Sequence, residues 1–201
     1  MLLPAYSLRK RELPLEAFLV STGAVALAEL GDKTQLLALV LAARFRAPLP
    51  VIAGILTATL VNHVAAGVAG TLLAAYLDPA IMRWILAASF VATGAWMLIP
   101  DRGPPVEDRP ARFGAYGTAA IMFFVAEIGD KTQIATVALA ARFNALIPVV
   151  AGTSLGMMVA DVPVILLGKV IAQRIPMRLV NRIAAAVFVV LGVLVALGVT
   201  G

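Results

Sequence analysis

The sequence contains no cysteine, a single histidine and few charged residues. The absence of cysteine excludes disulfide frameworks, thiolate metal sites and cysteine nucleophiles. Only 13% of the 201 residues are charged, whereas a soluble domain carries about a quarter and needs them to cover its surface. The hydrophobic share is 62% and the mean hydropathy is +0.99. This composition argues against an ordinary soluble globular fold and indicates a membrane protein.

The charge that is present is mostly basic and gives a net charge of +5. In a soluble protein this excess would suggest a nucleic-acid partner, but here Lys and Arg lie between apolar runs and not on a polar stripe with aromatic residues. We therefore predict no nucleic-acid partner. Basic residues in the loops of a multi-pass protein of the cell (inner) membrane explain the excess. Their distribution favours both termini outside and the central linker in the cytoplasm.

Six apolar stretches are long enough to cross a bilayer, which takes about 20 residues. They cover residues 15–45, 49–77, 80–99, 114–143, 147–171 and 179–199. We predict an all-α integral membrane protein with six transmembrane helices. Its expected parts are an N-terminal segment (1–14), a first three-helix repeat (15–99), a polar linker (100–113) and a second three-helix repeat (114–201).

The division into two halves follows from a repeated motif. Glu29-Leu-Gly-Asp-Lys-Thr-Gln35 returns as Glu127-Ile-Gly-Asp-Lys-Thr-Gln133, and the same offset of 98 residues relates Pro50 to Pro148. Because three spans is an odd number, the second half enters the membrane from the opposite side. We therefore predict two inverted repeats, an architecture in which transporters bind their substrate at the repeat interface near the midplane.

Beyond the start of the first span, the acidic residues within the predicted spans are few, and most belong to the repeated motif: Glu29, Asp32, Glu127, Asp130 and Asp161. A charge at the bilayer centre costs at least about 2.5–3.5 kcal/mol, so these residues need a compensating function. Helical spacing predicts Glu29 and Asp32 on one helix face, with Lys33 placed to neutralise Glu29 in part. Gly31 between the two acids permits close helix approach or a break in the helix. Facing carboxylates from the first and fourth spans would bind a hard divalent cation such as Ca²⁺, Mn²⁺ or Mg²⁺.

Neutral oxygen donors beside the acids extend the predicted ligand set: Thr34, Gln35, Thr132 and Gln133. In the second and fifth spans, Asn62 and Asp161 are further candidate ligands, and His63 is related to Asp161 by the repeat offset. We predict no permanently bound cofactor, since the metal ion is the cargo. Protons and metal compete for the same carboxylates, which is the minimum requirement for exchange.

Other interpretations of the same residues remain open. Glu29–Lys33 and Glu127–Lys131 could be buried ion pairs that only fix helix packing, although Asp32 and Asp130 have no evident partner of this kind. A passive channel and an exporter of a small organic solute are further alternatives. A membrane-embedded acid/base enzyme would need two acids in distinct environments. The two motifs are near duplicates, so we predict that the protein is not an enzyme.

The doubled motif resembles the E-x-G-D-[KR]-[ST] signature of the transmembrane protein 165 family, which includes the bacterial manganese exporter MneA. This family belongs to a calcium/cation antiporter superfamily, and the resemblance covers nearly the whole chain. It implies export of Mn²⁺ or Ca²⁺ from the cytosol in exchange for protons, with Glu29, Asp32, Glu127 and Asp130 as metal ligands. Both half-sites lie in one chain, so a monomer suffices, and a homodimer is compatible with the site.

Overall fold

The computed structural model describes residues 4–99, 113–167 and 177–198, with side chains from residue 14 in the first helix and from residue 179 in the last. These residues form eight helices and no strand. The helices are α1 (Pro4–Glu29), α2 (Lys33–Phe45), α3 (Pro48–Tyr76), α4 (Pro79–Met97), α5 (Gly114–Glu127), α6 (Lys131–Phe143), α7 (Leu146–Leu167) and α8 (Met177–Ala196). The predicted all-α class is confirmed. Most of the predicted polar linker, residues 100–112, lies outside the described residues.

In the part of the chain that the structure describes, four helices are long and apolar enough to cross a membrane. They are α3, α4, α7 and the Leu179–Ala196 part of α8. Many large apolar side chains on α3 point outwards, among them Leu60, Val61 and Val64, and an apolar outer surface of this extent requires a lipid environment or a partner. The prediction of multiple apolar spans is therefore confirmed for these four helices.

The two predicted spans that carry the motif are not continuous helices. The stretch 15–45 is divided into α1 and α2, and the stretch 114–143 is divided into α5 and α6. The prediction that Glu29 and Asp32 share one helix face is therefore wrong, whereas the break that Gly31 permits is present. The chain also forms helix α1 from Pro4 onwards, ahead of the predicted start at residue 15.

Each break occurs at the glycine of the motif, which adopts a left-handed backbone conformation. Gly31 has φ of 85° and Gly129 has φ of 74°, a region in which residues with a Cβ are strained. Asp32 then takes the N-cap position of α2, and Asp130 the N-cap position of α6. The hydropathy stays apolar across both breaks, so it gave no sign of them.

In the packing of the two halves, the first helix of each half lies against a long helix of the other half. Helix α1 packs mainly on α7, as the equivalent α5 packs on α3, and α4 packs on α8. A Cβ at Gly54 in α3 would collide with the carbonyl oxygen of Tyr116, and a Cβ at Gly152 in α7 would collide with that of Phe18. These pairs are related to each other by the repeat offset, so the halves use the same contact twice.

The contact between α4 and α8 is formed by residues that the repeat offset of 98 positions relates to one another. The rings of Phe90 and Phe188, which are 98 positions apart, pack with their centroids 6.1 Å apart. A Cβ at Gly94 would lie 2.9 Å from the carbonyl oxygen of Ala185, and a Cβ at Gly192 would lie 2.9 Å from that of Ala87. Small residues here allow the close backbone approach that is typical of helix pairs in membranes.

The left-handed glycine of the second motif gives a direct test of the break. A Cβ at Gly129 would meet no atom within 4 Å, so Gly129→Ala adds only conformational strain. We expect it to lower the free energy of unfolding by about 1–2 kcal/mol. Gly23→Ala is the matched control, because Gly23 lies within α1 and a Cβ there is also uncontacted; it should stabilise the protein by about 0.5–1 kcal/mol. Reversible unfolding in detergent measures both, and equal effects of the two variants would contradict a left-handed conformation at Gly129.

Candidate cation site

The helix breaks place the acidic residues of both motifs in the interior of the protein. Glu29 and Glu127 are fully buried, and the side chains of Asp32 and Asp130 are no more than 2% exposed. Asp161 of α7 is also fully buried. Glu29 interacts electrostatically with Glu127, Asp161 and Asp32, so the carboxyl groups that the sequence singled out lie near one another.

Within each motif, the threonine binds the glutamate that precedes the break. The Thr132 hydroxyl donates a hydrogen bond of 2.7 Å to Oε2 of Glu127, and the Thr34 hydroxyl donates to Oε1 of Glu29. Each bond joins the end of one helix to the start of the next. The threonines thus hold the two glutamates in equivalent positions, and their hydroxyl oxygens remain near the carboxylates.

The glutamine of each motif satisfies the backbone at the break. The amide N–H of Gly31 donates to Oε1 of Gln35 over 3.0 Å, and that of Gly129 donates to Oε1 of Gln133 over 2.7 Å. A side chain that reaches back to a free N–H at a helix start acts in the manner of a capping box. Both predicted amide ligands therefore also stabilise the interrupted helix.

The lysines form ion pairs between the two motifs. The Nζ atom of Lys33 lies 2.6 Å from Oδ1 of Asp130, and the Nζ atom of Lys131 lies 3.3 Å from Oδ1 of Asp32. The predicted neutralisation of Glu29 by Lys33 is wrong, because the helix break removes their helical spacing. Asp32 and Asp130 had no evident lysine partner within their own motif, and each pairs with the lysine of the other motif. We call these two contacts the crossed ion pairs.

Several buried carboxylate oxygens have no hydrogen-bond partner among the described residues. They are Oε2 of Glu29, Oε1 of Glu127, Oδ2 of Asp130 and both oxygens of Asp161. Buried polar atoms without partners are costly and uncommon, so they require an explanation such as an ion or a proton. Within the same described part of the chain, no three acidic or histidine side chains already converge closely enough to hold a metal ion.

The residues predicted in the second and fifth spans differ in their contacts. Asn62 donates from Nδ2 to the carbonyl oxygen of Phe124 over 3.2 Å and so connects α3 to α5. Both ring nitrogens of His63 are buried without a described partner. Gln35 donates from Nε2 to the carbonyl oxygen of Ala160 over 3.1 Å, which connects the first motif to the residue before Asp161.

The two half-sites differ in their access to the outside. The Lys33 side chain is 27% exposed, whereas that of Lys131 is 3% exposed. Gln35 is buried and Gln133 is only partly buried. Two nearly identical motifs therefore have unequal surroundings, a difference that the sequence pattern did not predict.

Comparison with known proteins identifies the family. A family model described as "Divalent cation/proton antiporter GDT1" matches residues 17–105 and 115–200, one segment in each half. The chain belongs to this family. It is therefore a multi-pass membrane transporter and not an enzyme, as the near-duplicate motifs predicted. The resemblance inferred from the doubled motif is confirmed.

Individual relatives agree with the family assignment. A Vibrio cholerae protein named "Putative manganese exporter" is 47% identical over 178 residues, which cover 88% of each chain. A GDT1-like protein of Synechocystis is 32% identical over 197 residues, covering 87% of this chain and 93% of that one. GDT1-like protein 3 of Oryza sativa subsp. indica is 43% identical over 70 residues, covering 35% of this chain and 25% of that one. No solved structure matches the chain.

The crossed ion pairs can be tested by double-mutant cycles on the free energy of unfolding. We expect the cycle of Lys33→Met with Asp130→Asn to give a coupling energy of about 1–3 kcal/mol, because the two groups are in direct contact and Asp130 is buried. The control cycle combines Lys33→Met with Glu29→Gln, the pair that unbroken helical spacing would join. Its coupling should be smaller than about 0.5 kcal/mol. A larger coupling in the control cycle would indicate pairing within one motif.

Proposed function

We propose that this antiporter exports a divalent cation, Mn²⁺ before Ca²⁺, from the cytosol in exchange for protons across the cell (inner) membrane. The observation that carries the proposal is that each motif's aspartate binds the lysine of the other motif. The carboxylates of both halves thus belong to one buried polar centre. Membership of the antiporter family and the name of the Vibrio cholerae relative support the cargo.

The proposed metal site takes its first ligands from Asp32 and Asp130. Glu29 and Glu127 add further carboxylate oxygens, and the neutral donors are the threonines and glutamines of the two motifs: Thr34, Thr132, Gln35 and Gln133. Carboxylate, hydroxyl and amide oxygens are the ligands that hard divalent ions prefer. Asp161 and Asn62 complete the proposed set, since the Asp161 carboxylate is buried without a hydrogen-bond partner among the described residues and interacts electrostatically with Glu29 and Glu127.

The crossed ion pairs identify the groups that a bound metal ion would replace, namely the ammonium groups of Lys33 and Lys131. A lysine ammonium group on each aspartate compensates a charge that would otherwise be buried alone at a cost of several kcal/mol. We propose that the metal ion takes the place of both ammonium groups, which return to the aspartates when the metal leaves. The carrier then has neutralised aspartates in both states, and the lysines act as competitors of the metal.

Protons enter the same competition. A proton on a carboxylate removes the negative charge that holds the metal, so the carboxylates bind either protons or the metal. On this proposal, protons from outside bind in the outward-open state and promote metal release. The proton gradient then drives the return of the carrier.

The proposed architecture is the six-span pair of inverted three-helix repeats, with both termini outside. The exchange of equivalent contacts between the halves supports it, because the pairs Gly54–Tyr116 and Gly152–Phe18 are related by one offset. In such repeats, movement of one half against the other exposes a fixed site to alternate sides. The unequal exposure of Lys33 and Lys131 fits a state that is open on one side.

Neutralising substitutions of the aspartates test the site assignment. We expect Asp32→Asn and Asp130→Asn each to reduce Mn²⁺ transport into proteoliposomes by about tenfold or more, because one charged ligand contributes at least about 1.5 kcal/mol. Asp78→Asn is the matched control, since Asp78 is an exposed N-cap of α4 and asparagine caps helices equally well. Full transport by either site variant would refute the assignment. Wild-type flux that ignores an imposed pH gradient would refute proton exchange.

Removal of the lysines tests whether they compete with the cargo. At a pH where the carboxylates are ionised, we expect Lys33→Met to bind Mn²⁺ several-fold more tightly, because a competitor worth about 1 kcal/mol has been removed. Its transport turnover should fall, because nothing replaces the departing metal. Lys33→Arg keeps the positive charge and should retain the wild-type affinity. Titration calorimetry and flux measurements on the same preparations check both expectations, and weaker Mn²⁺ binding by Lys33→Met would show that the lysine supports the metal site instead.

A further inference from the structure

A second polar feature lies at one end of the helix bundle, away from the motifs. A cavity of about 380 Å³ opens between the ends of α3, α4, α6 and α8. Its polar lining comes from Arg83, Arg142 and Asn144, and its apolar lining includes Met82 and Leu86. Arg142 lies at the opposite end of α6 from Lys131, about 16 Å away at 1.5 Å per residue. The cavity is therefore distinct from the proposed cation site.

Two donor atoms of the Arg142 guanidinium group have no acceptor among the described residues. Its Nε and Nη1 atoms are buried and have no hydrogen-bond partner among the described residues. The guanidinium carbon lies 4.6 Å from the centroid of the Phe143 ring, but this contact leaves the donors unsatisfied. Glu16 acts on Arg142 electrostatically, yet it is exposed and forms no ion pair with it among the described side chains. A buried charged donor without an acceptor is costly, so an anionic acceptor would stabilise this arrangement.

The depth of the cavity in the membrane follows from the exposed aromatic residues around it. Tyr76, at the end of α3, is 84% exposed, and Trp84, in the second turn of α4, is 58% exposed. Exposed Tyr and Trp at the ends of apolar helices mark the membrane–water interface. Arg83, the neighbour of Trp84 in sequence, is therefore at the level of the lipid headgroups.

The lining of the cavity has two chemically different parts. Arginine side chains present planar sets of donors that match phosphate oxygens, and Asn144 adds an amide. Met82, Leu86 and Ala74 provide an apolar wall in the same cavity. A soluble phosphate ion would leave this wall unused, whereas a phospholipid would use both parts.

We propose that this cavity binds an anionic phospholipid, with the phosphate group on Arg83 and Arg142 and an acyl chain along the apolar wall. Basic pockets between transmembrane helices at headgroup depth are suited to such lipids. The arginine pair is not duplicated in the sequence, because the repeat offset relates Arg83 to Asn181. The second copy of the repeat therefore does not reproduce the arginine pair, and the lipid connects α4 to α6 across the boundary between the halves.

The test measures lipid retention by the full chain. The purified protein is stripped of lipid, offered phosphatidylglycerol or phosphatidylcholine, and examined by native mass spectrometry. We expect the wild type to retain phosphatidylglycerol preferentially and the double variant Arg83→Gln/Arg142→Gln to bind it at least about tenfold more weakly. Arg182→Gln removes an exposed arginine near the other end of α8 and should bind like the wild type. Equal retention by the wild type, the double variant and the control would overturn the proposal.

Two further measurements keep the test decisive if the double variant does not fold. Ala74→Phe fills the partly exposed cavity wall without changing any charge, and it should also lose phosphatidylglycerol while keeping cation transport measurable. Unchanged retention by this variant would overturn the placement of the acyl chain. Inorganic phosphate in the millimolar range should not displace the lipid from the wild type. Displacement by phosphate, or equal retention of phosphatidylcholine, would overturn the assignment to an anionic lipid.

Discussion

The burial of negative charge is the constraint on which the rest of this structure depends. Asp32 and Asp130 are almost completely removed from solvent, and each lies against a lysine that the other half of the chain supplies. In a low-dielectric interior, separating such a pair leaves an uncompensated charge at a cost of several kcal/mol. The halves are therefore held together at their centre by electrostatics, while apolar packing and glycine contacts hold them together elsewhere.

The interrupted helices follow from the same constraint. A continuous helix would direct Glu29 and Asp32 along one face and would leave Lys33 over Glu29. The left-handed Gly31 turns the chain, so that Asp32 begins a new helix and Lys33 reaches the other motif. The freed N–H group of Gly31 is bound by Gln35. One short motif thus supplies the buried acids and the glycine at which the helix is interrupted. It also supplies the lysine that pairs with the other half and the glutamine that binds the free N–H group at the break.

The sequence was sufficient to predict part of this arrangement. The apolar runs predicted the helical class, and the doubled motif predicted both the family and the residues that are now found buried together. It left a break at Gly31 open beside close helix packing, because Leu30 and Ile128 keep the hydropathy high beside the glycines. The crossed ion pairs were missed, because spacing rules describe contacts within one helix. Gly31 and Gly129 were the available signal, since glycine within an apolar span permits a break.

The pairing of the halves has a further consequence, which follows from the glycine contacts and from the rings of Phe90 and Phe188. Each surface patch is used twice, as in the isologous interface of a symmetric dimer. In a true dimer of identical subunits, a substitution would alter both copies of a contact. Joining the halves in one chain removes this restriction, and the two copies have diverged. The position equivalent to Asn62 in the second half is Ala160, and the position equivalent to His63 is Asp161. The side chains near the central acids can therefore differ between the two sides of the protein, so that a substrate meets different chemistry on entering and on leaving.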